Sequence, residues 1–217
     1  MNDRCWQRAR SREQIEERVN EILEGAATVF LREPYEKVTM QMIAGEAGFT
    51  RSNLYRYFHT REEIFLALYI SDVNVWARQI RAAFSHEESL EDFVKKWTEV
   101  LYRQSRLLEL TPLLSLTLEK NTSEEVYRRT KLALQELMGP AAFIIRKALP
   151  ALSLDQVFGF LRTQQALLAG AWPMAQYSDM QLSVLDELDV PQLKFDFASL
   201  YENAILMYLR GVVTQST

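Results

Sequence analysis

The sequence predicts an all-α fold, and three observations carry that prediction. Apolar residues recur at intervals of three and four, as in Ile15, Val19, Ile22, Leu23, Ala26 and Phe30. Ser or Thr followed three residues later by Gln, Glu or Asp opens segment after segment, which is the signature of a helix N-cap. No stretch alternates with the period of two that a half-buried strand needs, and there is no internal repeat or low-complexity tract.

Taken in order, Ser11 with Gln14 opens a first helix that Pro34 ends. Thr39 opens a short second helix to about Ala47, and Thr50 caps a third reaching about Phe58. Thr60 with Glu63 opens a long helix carrying Phe65, Leu68, Tyr69, Trp76 and Ile80. Ser89 with Asp92 starts the next, with Phe93, Val94, Trp97 and Leu101 on one side. Pro112 marks a break or a new start, followed by a short helix to about Lys120. Thr122 with Glu125 begins a long helix that Gly139-Pro140 should kink or split. Ser153 caps a helix running towards Gly170 and Pro173. A loop rich in acids, with Asp179, Asp186, Glu187 and Asp189, then leads to a last helix over roughly 195–213.

Composition narrows the function classes. With 48% apolar and 25% charged residues the chain has the profile of a soluble globular protein. No apolar run follows the N-terminal arginines, and the longest apolar stretch is far too short to span a bilayer, so neither secretion nor a membrane partner is expected. A single cysteine, Cys5, cannot close an internal disulfide, and the cytoplasm is the expected location. The net charge of −4 conceals two positive islands. Arg4, Arg8, Arg10 and Arg12 stand against Asp3 alone, forming a basic N-terminal arm over residues 1–12, and Arg51, Arg56 and Arg61 occupy residues 50–61 with no acid. Residues 62–217 hold 15 basic and 20 acidic residues. That distribution suits a localised DNA contact rather than a general nucleic-acid coat.

The stretch TMQMIAGEAGFTRSNLYRYFHTR, residues 39–61, has the spacing of a helix-turn-helix. Two helices crossing steeply through a short turn need a small residue at their approach, here Ala44, and a residue tolerant of positive φ in the turn, here Gly48. Ile43, Phe49, Leu54 and Phe58 supply an apolar seam. With Leu54 and Phe58 inward, a helical projection puts Ser52 and Arg56 outward, flanked by Asn53 and Tyr55, with Arg51 near the N-terminus. A guanidinium, an amide, hydroxyls and aromatic rings on one face suit base edges and phosphates. Thr39 and Thr50, which open the two helices, belong to the same candidate DNA-facing set. Arg61, in the first turn of the next helix, opposes the helix dipole unless an anion binds there; simple solvation of its side chain is the competing explanation.

These linked motifs (a Thr-led short helix with Ile-Ala, then Ala-Gly-aromatic, Leu-Tyr-x-Tyr-Phe, a polar pair and a cation before Glu-Glu-Ile) resemble the DNA-binding domain of the TetR (tetracycline-repressor) family over residues 12–70. The resemblance implies a three-helix DNA-binding domain in residues 1–60 and a helical ligand-binding and dimerisation domain in residues 61–217. It further implies DNA contacts from Gln41, Arg51, Ser52, Asn53, Tyr55 and Tyr57, and a phosphate contact from Arg61. Asn53, Arg61 and Gly45 depart from the commonest family pattern, the first where a small residue is frequent, the second where lysine is usual.

Family members are typically dimers through their last two long helices, and Val157, Leu161, Leu168, Tyr201, Ile205, Tyr208 and Leu209 are the expected homodimer residues, because both helices are apolar around more than one face. The resemblance implies a cavity for a small-molecule effector near Trp97, Tyr102, Tyr127, Met138, Phe143 and Phe160, with Gln104, Thr130 and Gln164 as its polar groups; the ordinary alternative for each aromatic is core packing. An apolar or aromatic effector that releases a repressor from a palindromic double-stranded operator is the resulting expectation. A DNA-binding architectural or regulatory protein without a ligand is the alternative. An enzyme finds little support: His59 and His86 stand far apart, and no phosphate loop, dinucleotide fingerprint or metal motif is present, so neither cofactor nor metal is expected.

Overall fold

The computed structural model describes residues 3–214, with side chains from residue 13. Among the described residues ten α-helices follow one another: α1 Asp3–Phe30, α2 Met40–Glu46, α3 Arg51–Leu54, α4 Arg61–Ala83, α5 Leu90–Tyr102, α6 Ser105–Leu113, α7 Glu124–Ala148, α8 Leu154–Met174, α9 Asp179–Glu187 and α10 Phe197–Thr214. No strand occurs among the described residues.

Most helix starts are where the side-chain chemistry puts them. The hydroxyls of Thr39, Thr50, Ser89 and Ser153 each accept from a backbone N–H three residues on, and Gln156 completes a reciprocal box at Ser153. Four elements differ from expectation. α1 runs back to Asp3, so Ser11 lies inside a continuous helix; residues 3–11 contain no Gly or Pro to stop it. The side chains of the basic arm lie outside the described residues. At α7 the cap is Ser123, whose Oγ accepts from Val126 N at 3.3 Å, while the Thr122 hydroxyl is buried without a partner among the described residues. Pro112 falls inside α6, which passes directly into a π-helical turn over Leu114–Leu118, rather than at a break. The expected acidic loop is largely helix α9, because Ser178 and Gln181 form a second capping box. Gly139-Pro140 does not split α7, whose Ala141, Ala142 and Ile145 are buried just beyond it.

The chain divides into two compact units, one comprising residues up to Leu68 with Thr117–Thr130, the other Tyr69–Leu116 with Lys131–Thr217. The division lies within α4, beyond the boundary expected at residue 60, and a segment of α7 joins the first unit. In the first unit Ile22, Ala26, Ile43, Leu54 and Phe65 are fully buried.

The second unit is organised around Trp97. Its ring meets Trp76 edge-on at 5.2 Å, stacks on Phe93 at 5.6 Å and meets Phe160 at 4.9 Å, and its indole N–H donates to the Tyr201 hydroxyl. α6 and α10 both pack on α8, and α10 also packs on α5. In this arrangement most of the residues expected at a dimer interface meet their own chain. Val157, Leu161, Leu168, Tyr201, Ile205 and Leu209 are buried inside the protomer, and Tyr208 is half-buried. α8 and α10 are apolar around more than one face because each has neighbours of its own chain on several sides. Asp72, buried on α4, receives a two-pronged ion pair from Arg106 of α6, with Nε to Oδ2 at 2.8 Å and Nη2 to Oδ1 at 2.5 Å.

Candidate nucleic-acid interface and effector cavity

The helix-turn-helix is held by backbone bonds that a glycine in the turn favours. Gly48 takes φ +72°, its N–H donates to Gly45 O, and Phe49 N–H donates to Ala44 O at 2.8 Å. This pair of bonds is a Schellman motif, and it turns the chain sharply at the end of α2. Thr50 then caps α3 through Asn53 N–H at 3.2 Å. Ile43, Ala44, Leu54 and Phe58 form the buried seam, whereas Phe49 is half-buried and meets Tyr57 edge-on. The α-helix of α3 ends at Leu54 rather than near Phe58. Arg56 and Tyr57 donate to carbonyls three residues back, so the last turn tightens instead of continuing as α-helix.

Thr39, Gln41, Thr50, Arg51, Ser52, Tyr55 and Arg56 are all exposed, while Asn53 and Tyr57 are half-buried. Arg51 and Tyr55, one turn apart, form a unit on this face: the guanidinium lies 5.5 Å from the ring centroid and Nη2 donates to the hydroxyl at 3.2 Å.

Arg61 is placed differently from the expected phosphate contact. Its Nη1 donates to the carbonyls of Val38 at 2.8 Å and Tyr35 at 3.0 Å, its Nε donates to Glu62, and the guanidinium lies 4.5 Å from the Tyr35 ring centroid. Tyr35 OH in turn donates to Glu62 Oε1 at 2.9 Å. Arg61 thus ties the α1–α2 connection to the start of α4. Thr60 and Glu63 hold that start as a cap, with Glu63 N–H on the Thr60 hydroxyl and the Glu63 carboxylate accepting from His59 N–H.

Residues 22–68 match the model of bacterial regulatory proteins of the tetR family, and residues 71–216 match the tetracyclin repressor-like C-terminal domain. The chain belongs to the tetR family. A stretch of 94 residues is 32% identical to an uncharacterized HTH-type transcriptional regulator, YfiR, of Bacillus subtilis, covering 42% of this chain and 46% of that relative, so the match spans about half the relative's length. A fatty acid degradation regulator, FadR, from Bacillus halodurans shares the fold with a TM-score of 0.54 at 14% identity, over 86% of this chain and 97% of that one. The all-α architecture with a helix-turn-helix head is therefore that of a tetR-family transcriptional regulator. TetR-family regulators bind DNA and generally act as dimers.

The second unit of this tetR-family chain contains a partly open cavity of about 160 Å³. Tyr69, Val73 and Trp76 of α4 line one side, Leu107 and Thr111 of α6 another, and Phe158, Leu161, Arg162, Gln164, Gln165 and Leu168 of α8 a third. Of the nine residues expected here, Met138 and Gln164 line it. The others are elsewhere. Trp97 and Phe160 form the solid core, Tyr102 reaches Ala198 O, and Gln104 donates to Gln79. Phe143 is 71% exposed, and Tyr127 and Thr130 belong to the first unit. Aromatic residues at helical spacing mark a buried face and leave open which neighbour it meets, so they do not separate core from wall. Trp76 was visible as an apolar position of α4, but nothing in its spacing marked it as wall. Among the described residues no helix is long and apolar enough to cross a membrane.

Proposed function

We propose that this protein is a dimeric, ligand-responsive regulator, a repressor that a small molecule releases from a near-palindromic operator. The observation that carries the DNA part is the exposed face of α3, with Arg51, Ser52, Tyr55 and Arg56 outward over a buried Leu54. The Schellman turn and the Thr50 cap hold that face rigidly enough to read base edges in the major groove. Gln41 and the half-buried Asn53 and Tyr57 border it and contact the same duplex. Two copies of α3 in a two-fold dimer read half-sites about one helical turn, or a multiple, apart.

The dimer uses surface that remains outward on the last helices. Leu200 and Met207 of α10, the latter 71% exposed, and Leu154 and Met174 of α8 are large apolar side chains left in solvent by the protomer. The cavity in the second unit supports a sensor over a ligand-free architectural protein. Helix α4 carries Arg61 and Phe65 of the first unit and the cavity residues Tyr69, Val73 and Trp76 of the second, so a ligand that displaces α4 reaches the head along one continuous helix. A coupling of about 1–3 kcal/mol suffices for a typical allosteric response.

Footprinting on genomic operator fragments, with light scattering of the same preparation, tests the reading. Expected are two protected half-sites and twice the 25.3 kDa chain mass. Protection of one asymmetric half-site by a monomer overturns it. Reciprocity supplies the second test: an effector that weakens operator binding must itself bind the operator complex more weakly by the same factor.

A further inference from the structure

We propose that the cavity of the second unit is built for a small apolar carboxylate, whose oxygens take the free donors of Arg162, Gln164 and Trp76. This rests on the ligand-responsive reading above and narrows it to a chemical class.

The hydrogen-bond order of the wall is fixed by one chain of three side chains. An indole N–H can only donate, so Trp97 Nε1, 3.2 Å from the Tyr201 hydroxyl, makes the phenol oxygen the acceptor. The phenol proton is then left for another partner, and Tyr201 donates it to Gln164 Oε1 at 2.9 Å. Burial pushes the Tyr201 phenol upward from its ordinary range, so that proton stays in place. With Oε1 so held, Gln164, which lines the cavity, has its NH2 group left over, and this group meets no acceptor among the described residues.

Two further cavity residues offer donors only. Trp76 is buried, and its indole N–H has no hydrogen-bond partner among the described residues. Arg162 lines the exposed side, and no carboxylate among the described residues pairs with it. Thr111 has already committed its hydroxyl proton to Leu107 O at 2.7 Å. Among the described residues no Asp or Glu lines the cavity. Donors and a cation with no acid select against a cationic ligand. A plain hydrocarbon would fill the space but leave the buried indole N–H unsatisfied, which an oxygen acceptor corrects. The volume is about that of an interior void holding one benzene ring, so the apolar part is a single ring or a short chain.

The test uses the full-length protein and isothermal titration with 3-phenylpropanoate and hexanoate, each against its neutral amide. The acids should bind at least ten-fold more tightly than the amides. Arg162→Gln, at an exposed position, should remove that preference, with the affinity for the acids falling to that for the amides. Gln164→Glu should abolish acid binding, because its second carboxylate oxygen would face the ligand's, yet still accept from Tyr201. Equal binding of acid and amide, an acid preference that survives Arg162→Gln, or no binding of either acid overturns the proposal. Operator titrations in parallel separate it from the broader reading. A neutral amide that binds as well as the acid and releases DNA sinks the carboxylate class alone; acids that bind without altering operator affinity sink ligand response alone.

Discussion

Gly25 of α1 and Ala47 at the end of α2 meet so closely that a Cβ on Gly25 would lie 2.8 Å from the Ala47 Cβ and 3.0 Å from its backbone nitrogen. The two helices that support the reading head touch through this missing side chain. Gly25→Ala should therefore destabilise the head by about 1–3 kcal/mol, the usual cost of overpacking, and weaken operator binding with it. Gly45→Ala, in the last turn of α2, is the control: nothing among the described residues lies within 4 Å of its Cβ, and replacing a helical glycine should stabilise by up to about 0.5–1 kcal/mol. Thermal melts of the two variants should move in opposite directions, and a common direction would contradict the packing account.

Arg61 gives a sharper choice. As a clamp on the Tyr35 and Val38 carbonyls, its loss should cost stability of about 2 kcal/mol, the scale of hydrogen bonds from a charged group. As a phosphate contact, Arg61→Ala would instead flatten the dependence of log affinity on log salt by about one unit. The expected result is lowered urea resistance with an unchanged salt slope. A flattened slope in a variant of normal stability restores the phosphate role.

Glu62 makes the head sensitive to acid. Burial opposes its charge, but bonds from its own backbone N–H, from Arg61 and from Tyr35 outweigh burial and hold the carboxyl below its ordinary value. A depressed folded value gives stability present above the unfolded pKa of about 4.3 and lost as pH falls through the folded one. Glu62→Gln should thus be less stable than the parent at pH 7, with the gap closing below about pH 4. Denaturant midpoints across pH 3–7 measure it, and a pH-independent gap would remove Glu62 from the acid response.

In the second unit the ion pair of Asp72 and Arg106 is a separate liability. Asp72→Ala leaves the Arg106 guanidinium half-buried without its carboxylate, and a loss of about 3 kcal/mol is expected. The double change Asp72→Leu with Arg106→Met should recover most of it, since a buried pair is replaceable by apolar residues of similar volume. Failure of the double variant to recover stability would show that the pair does more than satisfy itself.

Arg51 and Tyr55 test the reading face directly. Arg51→Ala should cost about 1–3 kcal/mol on the cognate site and relax preference at one base pair. Tyr55→Phe removes only the hydroxyl that accepts from Arg51 at 3.2 Å, and should cost less, about 0.5–1 kcal/mol, with preference retained. Binding of both variants to operators randomised one position at a time reads out the difference. An Arg51→Ala protein with intact base preference assigns that arginine to the backbone.

By itself the sequence determined what depends on neighbours a few residues apart. The Thr and Ser caps, the positive-φ glycine at 48, the inward Leu54 and the outward Arg51, Ser52 and Arg56 all follow from helical geometry and local hydrogen bonding, and all are legible without a fold. Local competition already blurs this at the edges: two adjacent hydroxyls offer the same bond, and Ser123 rather than Thr122 makes it at α7. Only the tertiary structure decided which apolar faces meet one another. Whether Trp97 is core and Trp76 is wall, whether Leu161 and Tyr201 meet a partner or their own chain, and that Gly25 is the contact with Ala47 depend on residues far apart along the chain. The hydrophobic effect explains why: it rewards burial without direction, so a periodic apolar stripe states that a face is buried and leaves unstated against what.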